Sequence, residues 1–182
     1  MTIGIDIDDT ITNSAEKIRE YAAVYFKGEN LDEILNGPRI EGRLKEFLDE
    51  FVAEMMVNYT LKDNVKEVIS RLKEKGHRII LITARGYSVG GELLNITLDY
   101  LKQHEIIYDE IVFKALDKTE ACQKYGVDIM IDDYVKGQET LHQNGFRAIV
   151  FNSKKNQSKP TDLKRLDTWL EVEEYIDSME LL

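Results

Sequence analysis

Ile3-Gly4-Ile5-Asp6-Ile7-Asp8-Asp9-Thr10-Ile11-Thr12 is the stretch that decides the fold. Its β-branched residues, almost at the N-terminus, predict a strand buried in the middle of a sheet. Yet the run closes on Asp6, Asp8 and Asp9. Carboxylates are poor strand formers and costly to bury unpaired, so a cation is expected beside them. A lone Asp there would cap a turn. Clustered carboxylates closing a buried strand suit a hard divalent cation such as magnesium.

Working outward, three further segments repeat the pattern of an apolar strand with chemistry at its C-terminal end. Arg78 to Ile82 is followed by Thr83-Ala84-Arg85-Gly86, and Ile111 to Phe113 by Lys114. Val127 to Ile131 is followed by Asp132-Asp133. That edge of an α/β sheet is where ligands bind. Asp117 and Glu120 have capping-box spacing, which predicts a helix beginning at Lys118. A cation there opposes the helix dipole unless an anion lies in front of it. Lys118 stands 14 positions before Asp132, with Lys114 its rival for the same role. The glycines of Gly86 to Gly91 lack the spacing of a dinucleotide fingerprint. Arg147 to Phe151 predicts a fifth strand, and Trp169 begins a C-terminal amphipathic helix.

Between the first two strands lie two helical patterns. Asn13 and Glu16 have capping-box spacing, with Ile18, Tyr21, Ala22, Tyr25 and Phe26 following and Gly28 as a stop. Asn30 to Gly42 reads as irregular, with Gly37-Pro38 a turn. Leu44, Phe47, Leu48, Phe51, Met55 and Met56 make the second pattern. Ser14 to Thr60 is thus an inserted helical cap, with residues 1–13 and 61–182 the core. Arg39, Arg43 and Lys45 lie in or beside its loop, as a solvated face or a substrate contact. Asp63 to Lys75 predicts a helix that returns the chain to the sheet, and His77 just beyond its stop reads as a surface or packing residue.

Composition narrows the class. The 182 residues suit one domain with a small insertion. A net charge of −10 argues against nucleic acid or an anionic membrane surface as partner. No apolar run approaches the roughly 20 residues of a membrane span, and no N-terminal signal pattern appears. A single cysteine, Cys122, permits no internal disulfide and suits a reducing, cytoplasmic location. Asn152 to Pro160 is a polar, Lys/Asn/Ser-rich loop. The oligomeric state is left open, a homodimer included.

Asp6-Ile7-Asp8-Asp9-Thr10, Thr83, Lys118 and Asp132-Asp133, in that order, resemble the motifs of the haloacid-dehalogenase-like phosphohydrolases. The resemblance implies a Rossmann-like parallel α/β sheet of order 3-2-1-4-5. It implies Asp6 as nucleophile, Asp8 as acid–base group, and magnesium held by Asp6, the Asp8 carbonyl, Asp132 and Asp133. Thr83, Ala84, Arg85 and Lys118 would meet phosphate or substrate, and Thr10 would order the loop. The helical cap with Ile-Thr-Ala-Arg and Ile-Asp-Asp is similar to the bacterial branch related to 5'(3')-deoxyribonucleotidases, implying a nucleoside monophosphate substrate. Tyr21, Tyr25, Phe26, Phe47, Phe51 and Tyr59 are candidates to stack on the base. A sugar phosphate, and a non-catalytic phosphate-binding module, are the competing readings. A receiver domain fits less well, because its phosphorylated Asp ends the third strand, where Phe113-Lys114 stands here.

Overall fold

The computed structural model describes residues 1–37, 41–86 and 92–180. Arg39, Pro38 and most of the Gly86 to Gly91 loop lie outside them. Six parallel strands form one sheet in the order β3-β2-β1-β4-β5-β6. They are β1 (Thr2–Ile5), β2 (Arg78–Ile82), β3 (Glu110–Val112), β4 (Ile129–Asp132), β5 (Arg147–Phe151) and β6 (Arg165–Leu166). The helices are α1 (Ser14–Tyr25), α2 (Leu31–Leu35), α3 (Gly42–Val57), α4 (Val65–Glu74), α5 (Glu92–Gln103), α6 (Thr119–Tyr125), α7 (Val135–Gln143) and α8 (Trp169–Glu180).

The alternation of each strand supplies both faces of the sheet. Ile3, Ile5, Ile79, Leu81, Ile129 and Ile131 pack with Val68 and Leu72 of α4 and with Trp169, Val172 and Ile176 of α8. Ile80, Ile82 and Met130 face the other way, against Ala121 and Cys122 of α6 and Leu141 of α7. Gly4 lies on that second face. A Cβ there would stand 2.6 Å from Met130 Sδ and 3.1 Å from Val127 Cγ1, so any larger residue would force Met130 to move. Cys122 is buried, and burial pushes its thiol up to about 11, as an inert core cysteine requires.

Between β1 and α4 the chain builds a separate apolar cluster. Phe26, Leu44, Phe47, Met55 and Met56 pack together and meet Leu93 and Tyr100 of α5. Its ends are stitched to each other: Asn13 N donates to Thr60 O (2.9 Å) and Lys62 N to Ile11 O (2.8 Å).

Several local expectations are corrected. Asn13 does not cap α1 with its side chain. Its amide donates instead to Thr60 Oγ1 and Leu61 O, both at 3.0 Å. The cap comes from Asp9, whose Oδ1 accepts from Ala15 N at 2.8 Å. The span read as irregular contains α2, with the Asn30 side chain at its N-terminus. Helix α6 starts at Thr119, so Lys118 precedes it rather than opening it, and Asp117 Oδ1 accepts from Thr119 N. Asp132 belongs to β4, and β6 adds a sixth strand beyond the five expected. For His77 the packing alternative holds: it is buried, with Nδ1 3.2 Å from the N-terminal amine.

Candidate active site

The parallel topology brings the C-terminal ends of β1, β2 and β4 side by side. Asp6 follows β1, and its N–H donates to Ile131 O at 2.9 Å, continuing the pairing with β4. Asp132 is the last residue of β4, one strand away. Lys118 fits between them. Its Nζ donates to Asp6 Oδ1 at 2.5 Å and to Asp132 Oδ2 at 2.7 Å. All three residues are buried. Burial opposes the ammonium charge, but the Asp132 and Asp6 carboxylates outweigh it and hold the Lys118 pKa above the ordinary lysine value. Burial pushes Asp6 well above the usual carboxylate range, against the pull of Lys118.

Asp133 completes the acidic group. One oxygen each of Asp6, Asp132 and Asp133 lies within 4.8 Å of the others. Burial, then the Asp132 charge, pushes Asp133 up to about 7. Three carboxylates around one ammonium leave negative charge in excess, and the donors are all hard oxygens, so the group suits a divalent cation. Among the described residues the Asp8 carboxylate is not part of this cluster.

The loop after β1 is fixed from two sides. Asp9 adopts a left-handed φ of 58° and turns the chain so that its carboxylate faces α1. Thr10 Oγ1 accepts from Asp133 N (3.1 Å), and Thr10 O accepts from Trp169 Nε1 (2.9 Å). Thr10 thus ties the loop to the second acidic segment at Asp133 and to α8. Asp133 is further held by residues that sequence reading left in a featureless polar loop. Ser153 Oγ donates to Asp133 Oδ2 (3.2 Å), and Asn156 Nδ2 to Asp133 O (2.7 Å). Ser153 and Asn156 are buried. A local signal existed only in their type: Ser and Asn hydrogen-bond nearby backbone.

Thr83 is buried at the end of β2, and its Oγ1 accepts from Arg85 N at 3.2 Å. Arg85 turns away from open solvent and grips Asp8. Nε donates to Asp8 Oδ2 (2.9 Å) and Nη2 to Asp8 Oδ1 (2.7 Å). Lys114 is exposed, so Lys118 is the lysine among the acids.

These residues open on a cavity of about 460 Å³. Its floor is Asp6, Asp8, Thr83, Ala84, Lys118, Asp132 and Asp133. Ile18, Leu48, Val52, Met56 and Leu93, with Tyr59, form an apolar far wall, and Lys155 and Lys159 also line the cavity. Of the six aromatic candidates, Tyr59 lines this cavity. Phe26 and Phe47 are buried in the helical cluster, and the partly buried Phe51 and exposed Tyr25 pack against them, with ring centroids 4.8–5.5 Å apart. Lys45 reaches the cavity beside its partner Asp49, whereas Arg43 pairs with Glu29 over the Phe26 ring.

A family model described as 5' nucleotidase, deoxy (pyrimidine), cytosolic type C protein (NT5C) matches residues 1–181. The chain belongs to this family. As an NT5C-family member it is a phosphatase of the haloacid-dehalogenase-like superfamily. No curated protein matches its sequence. Solved structures share its fold. A predicted phosphatase from Clostridium acetobutylicum is 19% identical, with a TM-score of 0.70 over 97% of this chain and 98% of that one. A HAD family hydrolase from Deinococcus radiodurans R1, solved with bound phosphate and sodium, is 15% identical, with a TM-score of 0.73 over 100% and 96%. A predicted phosphoglycolate phosphatase from Haemophilus somnus 129PT is 18% identical, with a TM-score of 0.64 over 96% and 97%. No described helix is long and apolar enough to cross a membrane.

Proposed function

We propose that this NT5C-family chain is a magnesium-dependent 5'-nucleotidase acting on (deoxy)nucleoside monophosphates through an aspartyl-phosphate on Asp6. The observation that carries the reading is Lys118 bonded to both Asp6 and Asp132 at the floor of a cavity with an apolar far wall. Phosphoryl transfer needs neutralised charge and alignment above all. Magnesium, held by Asp6, the Asp8 carbonyl, Asp132 and Asp133, would offset the repulsion between carboxylate and phosphate.

The Asp6 carboxylate attacks phosphorus, forming a new P–O bond as the ester P–O bond breaks. Asp8 gives a proton to the leaving nucleoside oxygen, then takes one from the water that attacks the phosphorylated Asp6. The Thr83 hydroxyl, the Ala84 backbone and the Lys118 ammonium hold the phosphoryl oxygens as their charge is redistributed. Residues 14–60 act as the cap over the floor, and their face at Ile18, Leu48, Val52, Met56 and Tyr59 receives the nucleoside.

The test is release of inorganic phosphate over a panel of nucleoside monophosphates and sugar phosphates, with magnesium or with chelator. Asp6→Asn and chelation should each abolish turnover while the fold is kept. Near-normal turnover by Asp6→Asn with magnesium present refutes the nucleophile. Preference for sugar phosphates refutes the substrate class.

A further inference from the structure

Arg85 differs from an arginine waiting for a phosphate. Its side chain is only 6% exposed, while that of Asp8 is 40% exposed. The guanidinium is therefore far more buried than the carboxylate it grips, although both residues line the cavity. Nε and Nη2 each take a different Asp8 oxygen, a fork that fixes the plane of the carboxyl group. Nη1 donates to Thr97 Oγ1 at 3.2 Å. Thr97 in turn donates to Leu93 O at 2.8 Å, so its proton is committed and a lone pair is left for the arginine. Thr97 is fully buried in α5 and does not line the cavity. The Tyr59 ring lies 5.7 Å from the guanidinium carbon, and Tyr100 in α5 donates to Tyr59 O at 2.9 Å. The guanidinium is thus engaged on three nitrogens from Asp8 and α5.

We infer that Arg85 is a positioning residue: anchored on Thr97, it holds the Asp8 carboxylate aligned to take the proton of the attacking water when phosphorylated Asp6 is hydrolysed. The inference rests on the role given to Asp8 under the proposed function. In the step concerned, the water oxygen bonds to phosphorus, the Asp6–phosphorus bond breaks and Asp6 regains its carboxylate. The proton of the water passes to Asp8, from which it is available to the next leaving group. Misalignment of a proton-transfer group costs up to about a hundredfold in rate, so loss of the fork should be felt on that scale.

The assay uses dinitrophenyl phosphate, whose phenolate departs without a proton, so formation of phosphorylated Asp6 does not need Asp8. Rapid mixing of the magnesium-loaded enzyme separates the first release of phenolate from steady turnover. Arg85→Gln should keep the rate of the first release within about twofold, show a burst approaching one phenolate per enzyme, and then turn over roughly 10–100-fold more slowly than wild type. Arg85→Lys should restore little, because an ammonium cannot make the fork. Thr97→Val, which keeps the shape and removes the acceptor, should move the steady rate in the same direction by about threefold or more. In an Asp8→Asn background, Arg85→Gln should add nothing further, since both act through one carboxylate.

Equal slowing of burst and steady phases in Arg85→Gln, or a raised KM with unchanged kcat, would assign Arg85 to the phosphoryl group and overturn the inference. Full rescue by Arg85→Lys would overturn it also. Asp8→Asn alone serves as the control. If Asp8→Asn leaves the steady phase untouched, the role of Asp8 itself fails. If Asp8→Asn slows that phase and Arg85→Gln does not, the positioning role alone fails.

Discussion

Lys118→Met is the perturbation that most directly examines the charge balance of the floor. Lys118 is 8% exposed, and its ammonium bonds two buried carboxylates, Asp6 and Asp132. Methionine fills much of the same space but leaves both acids without their cation. Removing one partner of a buried ion pair costs about 3–5 kcal/mol. For a chain of this size each kcal/mol moves Tm by about 2–4 °C, so a fall of roughly 6–20 °C is expected in chelator. The pKa of Lys118 is raised, so its contribution is fully present below the ordinary lysine range and is lost only as pH rises through the raised value. Neutral pH therefore reads all of it. Magnesium should then act as a replacement cation, and at about a hundred times its Kd it returns about 2.7 kcal/mol. Thermal unfolding followed by the fluorescence of Trp169, with and without magnesium, measures both quantities. On the proposed mechanism, in which Lys118 is a donor to the transition state, phosphate release should fall by about 10²–10³ even in magnesium. A Tm within about 2 °C of wild type in chelator, or no gain from magnesium in the variant, would refute the charge argument.

Trp169→Phe removes the donor to Thr10 O and should cost about 1–3 kcal/mol in urea titrations, with a lowered turnover because Thr10 also holds Asp133. Gly4→Ala drives a methyl into Met130 and Val127 and should cost about 1–3 kcal/mol by the same measurement, as an overpacked core does. Hydrogen bonds from Arg71, then Lys75, hold Glu173 at about 2, below its ordinary 4.5. A depressed acid contributes stability that is present above the ordinary value and lost as pH falls toward about 2. An acid series of unfolding midpoints should therefore be shallower between pH 4.5 and 2 in Arg71→Ala than in wild type.

The sheet was legible because its strands are short β-branched runs, each followed by a helical period or a polar stop. The motif positions were legible for the same reason: Asp6, Thr83 and Asp132 sit where apolar runs end in polar residues. Strand β6 was not, since Arg165–Leu166 is too short to show any alternation. Helix α2 is a single turn and a half of mixed residues, and its Asn30 cap resembles an ordinary loop asparagine. The aromatic stripe of α1 and α3 was visible, but periodicity does not say which side of a helix faces a cavity. Those rings are packed on one another, and aliphatic residues face the floor instead. The partners of Asp133 and Asp8 were invisible because Ser153, Asn156 and Arg85 reach them only through tertiary contact.

The helices over the cavity leave and rejoin the sheet at one seam, where Asn13 bonds Thr60 and Leu61 and Lys62 bonds Ile11. Among the described residues their other polar ties include Asp9 to Ala15 N, Tyr100 to Tyr59 O and Lys154 to Glu16. The height of the ceiling above the acids is accordingly set by these few latches and by the packing on α5. The stacked rings make that ceiling stiff, and the latches decide where it hangs.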